Sequence, residues 1–172
     1  MGLSLRKDPQ VPLHPLRPIA LAFLLLSGAA CGSGSDASSA CGPITREALD
    51  SSYLVHVLDP NTDVDYTSDP PTSGPHAPAP VVEAVSDQPI PRPAQIGVLE
   101  RGDVLIQHDP DLSADQRVDL EALGTTGVVI APNPDLPFPV VATAWTYKLT
   151  CDEVDIVALR EFIDERLGQG PD

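Results

Sequence analysis

Between Pro60 and Pro93 the chain carries nine prolines in 34 positions, and no other feature constrains its fold as strongly. Proline fixes φ and has no backbone N–H, so it breaks helices and is tolerated in sheets only at edges and ends. The stretch is therefore expected to run extended over the surface without a regular helix, with Val81–Val85 as its only plausible strand. Loops of this length are usually functional or disordered. Just ahead of it, Ser52–Leu58 reads as a strand, being rich in apolar and β-branched residues.

Downstream the patterning becomes periodic. Ile96–Leu99 makes a helical turn, and Asp103–Gln107 reads as a buried strand. Leu112–Leu123 forms a helix, with Ser113 and Gln116 as a capping box and Gly124 as its stop. Its apolar face gathers Leu112, Ala114, Val118, Ala122 and Leu123. Gly127–Ala131 is then a strand, parallel to the previous one through a right-handed crossover. A turn at Pro132–Asp135 precedes one long strand, Val140–Leu149, and a last helix over Ile156–Leu167. Asp152, Glu153 and Asp155 favour the positive end of that helix, and Gly168 ends it. Its stripe is Ile156, Leu159, Phe162, Ile163 and Leu167. The fold class is α/β or α+β: a single compact domain whose small mixed sheet is covered by two helices, with a β-α-β-β-α second half and a long proline-rich extended segment. That order resembles the second half of a thioredoxin-like fold, but without that fold's active-site cysteines the likeness carries no function.

The N-terminal segment reads as an address. Arg6, Lys7, His14 and Arg17 precede the apolar run Ile19–Leu26 and the small residues Ser27–Ala30. This is the pattern of a secretory signal peptide over residues 1–30. The run is shorter than the roughly 20 apolar residues a spanning helix needs. Ser27–Cys31 resembles the lipobox of bacterial lipoproteins, with Gly28 where Leu is usual. The resemblance implies lipidation at Cys31, a flexible Gly/Ser tether over 31–40 and a domain over 41–172. Ordinary cleavage to a secreted protein is the alternative. With Cys31 acylated, Cys41 and Cys151 are left as a disulfide pair in an oxidising compartment. A reactive thiol or metal thiolate is the other use for them, and no C-x-x-C supports it. Acidic residues outnumber basic ones 25 to 10, for a net charge of −15. Nucleic acid is thereby excluded as a partner, and anionic lipid would repel such a surface, so lipid on Cys31 must do the anchoring.

Tyr66–His76, which contains the string Pro70-Pro71-Thr72-Ser73-Gly74-Pro75-His76, resembles the signature of DUF3105, a bacterial family of unknown function. Leu99-Glu100-Arg101-Gly102-Asp103-Val104 resembles that family's second motif, usually Leu-Glu-His-Gly followed by a strand. His56-Val57, Phe162-Ile163 and Gly170-Pro171 agree as well, so the resemblance spans about Cys41 to Asp172. The family commonly carries two histidines four residues apart in its second motif. They would share a helix face and hold a metal with a third ligand such as His76. Here Gly97 and Arg101 occupy those positions, and a guanidinium offers a cation no lone pair. His56, His76 and His108 are left as candidate transition-metal ligands.

The prolines and Ser73-Gly74 make the first motif a preorganised loop that presents Thr72, Ser73 and His76 close together. Ser73 and His76 could serve as nucleophile and base, with Glu100 orienting His76 if the fold joins them, but no G-x-S-x-G elbow is present. Asp59, Asn61, Asp63 and Asp65 alternate like calcium ligands, yet Val64 stands where an EF-hand loop needs Gly. The leading expectation is a non-enzymatic, lipid-anchored extracytoplasmic module that binds an envelope protein or a small ligand. The alternative is a metal-handling envelope protein using His76 with His56 or His108, and a weak Ser/His hydrolase is the least favoured. The distances among His56, His76, Glu100, Arg101 and His108 separate these readings.

Overall fold

The computed structural model describes Gly2 and residues 39–78 and 84–171. The signal segment, Cys31, most of the tether and residues 81–83 of the expected Val81–Val85 strand lie outside the described residues.

A five-stranded mixed sheet forms the centre. Its strands are β1 (Thr45–Arg46), β2 (Val104–His108), β3 (Val128–Pro132), β4 (Val140–Ala144) and β5 (Tyr147–Cys151). They lie in the order β1-β5-β4-β2-β3, with β2 and β3 parallel as expected and the other neighbours antiparallel. Strand side chains alternate between faces, so Val104 and Ile106 point one way and Leu105 and Gln107 the other. The first face packs with Val128, Ile130 and Ala142 against Leu120, Leu159 and Phe162, which come from α2 (Ala114–Glu121) and α3 (Ile156–Arg166). The second face packs Leu105, Val129 and Ala131 against Ile96, Val98 and Leu99 of α1 (Arg92–Glu100).

The capping box forms as expected: the Ser113 hydroxyl accepts from the Gln116 N–H, and the Gln116 side chain accepts from the Ser113 N–H. Asp155 caps α3 by accepting from the Val157 and Ala158 N–H groups at 3.1 Å. Those donors and the Ser39 hydroxyl hold its carboxyl below the usual range. A disulfide joins Cys41 to Cys151, 110 residues apart. Among the described residues no helix is long and apolar enough to cross a membrane.

Four expectations need correction. Ser52–Leu58 is not a strand. The Asp50 carboxylate accepts from both the Ser52 N–H and its hydroxyl, and Val55 N–H donates to the Ser52 carbonyl, which curls the chain into turns. Leu54, Val55 and Leu58 are consequently exposed. The expected turn at Ile96–Leu99 is part of the nine-residue α1, a third covering helix that begins inside the proline-rich stretch. Pro93 sits in its first turn, where a missing N–H costs nothing. Val140–Leu149 is not one strand but the hairpin β4–β5, turning at Trp145-Thr146 with Thr146 at φ 61°. On α2, Ala114, Val118 and Ala122 are exposed, and only Leu120 and the neighbouring Leu123 are buried.

Candidate metal centre

The first motif loop is fixed by a different partner for each of its side chains. Thr72 donates its hydroxyl to Glu47 Oε2 at 2.7 Å, and Ser73 Oγ accepts from the Asp50 N–H at 3.0 Å. Gly74 adopts φ 133°, and a Cβ there would lie 3.1 Å from the Tyr66 ring. Only glycine meets both conditions. The Tyr66 hydroxyl donates to the Pro75 carbonyl at 2.6 Å, and burial pushes that hydroxyl up to about 12, so it stays a donor. Thr72, Ser73 and His76 therefore diverge rather than converge. Among the described residues Ser73 makes no hydrogen bond to His76, so the nucleophile–base pairing is not assembled.

This scaffold delivers His76 into the interior, where it is 1% exposed. Backbone pairing brings His56 beside it: His76 N–H donates to the Val55 carbonyl at 3.0 Å and Val57 N–H to the His76 carbonyl at 2.8 Å. The two imidazole rings lie 4.4 Å apart, edge to face. Glu100, the last residue of α1, places Oε2 3.0 Å from His76 Nε2. Close packing of the second motif against the C-terminal run fixes that helix end. A Cβ on Gly170 would fall 2.7 Å from the Glu100 carbonyl oxygen, which only glycine avoids.

The protonation of His76 follows from its other nitrogen. Nδ1 lies 3.1 Å from the Gly74 carbonyl, an acceptor only, so Nδ1 carries the proton and donates it. Nε2 is then the ring nitrogen left to face Glu100. It is buried and makes no aligned hydrogen bond, although the carboxylate oxygen stands 3.0 Å away. Two acceptors this close call for a cation between or beside them, either a proton on Nε2 or a metal ion. The ligand atoms of His56, His76 and Glu100 all lie within 4.8 Å of one another. Two ligand atoms each about 2.1 Å from an ion are about 3.0 Å apart at a right angle and about 3.4 Å apart at the tetrahedral angle, so the His76–Glu100 pair stands at the short end of the spacing for a shared ion. An Nδ1–H donated to a backbone carbonyl is also the usual way a metal-ligating histidine is oriented.

The other candidates stand elsewhere. His108 shares the strand parity of Val104 and Ile106, on the α2/α3 side of the sheet, and its Nδ1 lies 2.9 Å from the Asp109 carbonyl. Arg101 pairs with Asp103 at 2.6 Å. Gly97 is buried within α1. Sequence reasoning gave Glu100 only an orienting role. No local feature of the sequence signals more.

The sheet, its three helices and this cluster define an α+β domain with two imidazoles and one carboxylate gathered under a proline-braced loop. The chain belongs to the family of proteins of unknown function DUF3105, whose family model matches residues 56–172. No curated protein and no solved structure matches the chain.

Proposed function

We propose that this chain is an extracytoplasmic domain, anchored by lipid at Cys31, that binds a divalent transition metal through His56, His76 and Glu100. One observation carries the metal reading: the buried Nε2 of His76 lies 3.0 Å from a carboxylate oxygen with no aligned hydrogen bond. The donor set narrows the ion. Imidazole and carboxylate suit Zn²⁺ or Cu²⁺, whereas Cu⁺ favours thiolate or thioether, and both described cysteines are locked in the disulfide. His56 is exposed and Glu100 half-exposed, so three protein ligands leave room for water or an exchanging ligand on the solvent side. The signal pattern and the disulfide support placement outside the cytosol.

Calorimetric titration of the purified mature protein with Zn²⁺ and Cu²⁺ tests the metal reading. One equivalent should bind, and His56→Ala and Glu100→Gln should each weaken binding by more than the roughly 10–100-fold typical of an outer-shell change. Both variants alter solvent-accessible side chains, so the fold should survive them. No stoichiometric binding, or unchanged affinity in both variants, overturns the reading. Membrane fractionation of wild type and Cys31→Ala tests the anchor, which is abandoned if the variant remains in the membrane fraction.

A further inference from the structure

A second feature adjoins the motif loop's anchor points. A cleft of 680 Å³ opens between β1, the β4–β5 turn and residues 168–171. Arg46, Tyr53, Trp145, Thr146 and Tyr147 line it. We infer that this cleft binds a planar small molecule carrying a carboxylate.

Three observations combine. The chain holds three tyrosines and one tryptophan, and three of these four side chains line this one cleft. Tyr53 and Tyr147 are half-buried and offer their rings to the cleft, while the buried Trp145 backs Tyr53 edge to face with ring centres 6.1 Å apart. Among the described residues Arg46 is the one charged side chain lining the cleft, on a chain of net charge −15. Arg46 lies 5.8 Å from the centre of the Tyr147 ring and Arg166 lies 3.9 Å from it. Arg166 pairs with Glu165, but among the described residues no carboxylate lies within ion-pair distance of Arg46. A planar guanidinium with no ion-pair partner among the described residues fits a carboxylate fork, and on a chain of net charge −15 a monoanion is repelled less than a dianion.

The walls are also held before any ligand arrives. Thr146, a β-branched residue in the left-handed region, is held on both sides: its N–H donates to the Thr72 carbonyl at 3.1 Å, and its carbonyl accepts from the Glu47 N–H at 2.8 Å. Strain of this kind persists only where the surroundings impose it, and it concentrates at binding sites. Glu47, next to Arg46, is pinned by Lys148 Nζ at 2.7 Å and by the Ser68 and Thr72 hydroxyls. Asp50 is held by Ser73 and accepts from the Tyr53 N–H at 3.2 Å. The signature loop thus braces both lips of the cleft, which lowers the ordering cost of binding.

The test uses benzoate as the probe, with benzamide as its uncharged analogue and acetate as a ringless anion. Trp145 is the sole tryptophan, so its fluorescence reports the cleft, and calorimetry follows the same titrations. Benzoate should bind saturably, with benzamide and acetate each about tenfold weaker or worse. Arg46→Gln should cause a similar loss and Arg46→Lys a smaller one. Arg46 is exposed on an edge strand, and an unchanged thermal midpoint in both variants checks the fold. Tyr53→Leu should weaken benzoate as well. No saturable binding, equal affinity for benzoate and benzamide, or wild-type affinity in Arg46→Gln overturns the inference.

Discussion

Residues 92–166 and residues 39–78 are held by different kinds of contact. In the first stretch Val104, Ile106, Leu120, Val128, Leu159 and Phe162 are fully buried, and regular ladders pair the strands. In the second, β1 is two residues long, and position is set by side chains gripping backbone or one another: Glu47, Asp50, Tyr66, Thr72 and Ser73. Apolar burial is large but non-directional, so it decides architecture. Hydrogen bonds contribute less net stability but fix direction, so they decide where an imidazole points. Both candidate sites draw residues from the polar-braced stretch.

The largest test of this contrast is Phe162→Ala, which should cost about 3–5 kcal/mol in urea unfolding while the remaining folded protein keeps its zinc stoichiometry. A small stability loss, or lost stoichiometry in the folded fraction, would break the division. Next is the double variant Cys41→Ser/Cys151→Ser. It removes the covalent link between the two stretches and should cost about 2–4 kcal/mol by the same measurement. Thr72→Val and Ser73→Ala should each cost only about 1 kcal/mol, yet weaken zinc binding disproportionately because they loosen the loop that carries His76. Equal sensitivity of stability and zinc affinity in these two variants would erase the distinction.

The smallest effect is on pH dependence. Burial raises the Glu47 carboxyl, but hydrogen bonds from Lys148, Ser68 and Thr72, together with the Lys148 charge, outweigh it and hold the group below its ordinary 4.5. A folded value below the unfolded one means the stabilisation is complete above about 4.5 and disappears as pH falls through the lower folded value. Glu47→Gln should flatten that part of the acid-unfolding curve, as followed by circular dichroism. An acid limb identical to wild type would show that the Glu47 hub adds nothing.

What the sequence made legible follows the same divide. β2, β3 and α3 carried apolar runs that burial then reinforced, and α2 carried a capping box and a glycine stop that set its ends but not its buried face. The Trp145-Thr146 turn was hidden because it lacks the glycine or asparagine that usually marks a left-handed position, and Thr146 is held there by Thr72 and Glu47 from remote sequence. Ser52–Leu58 has the composition of a strand, but an Asp50-driven turn prevails over propensity. The first motif stood out as a rigid loop bearing His76. That Glu100 would meet it was not readable, because the meeting depends on how α1 packs under residues 39–78, a tertiary matter with no local trace.

The bridge from Cys41 to Cys151 also sets the route of mechanical load. A pull on the chain ahead of Cys41 reaches β5 through sulfur, and the peptide between the two cysteines, with the histidine–carboxylate cluster and the aromatic side chains of the cleft, lies off the line of force. If the chain is held ahead of Cys41, as the proposed anchor requires, tension there would leave His56, His76, Glu100 and the cleft's aromatic side chains unstretched for as long as that one covalent link holds.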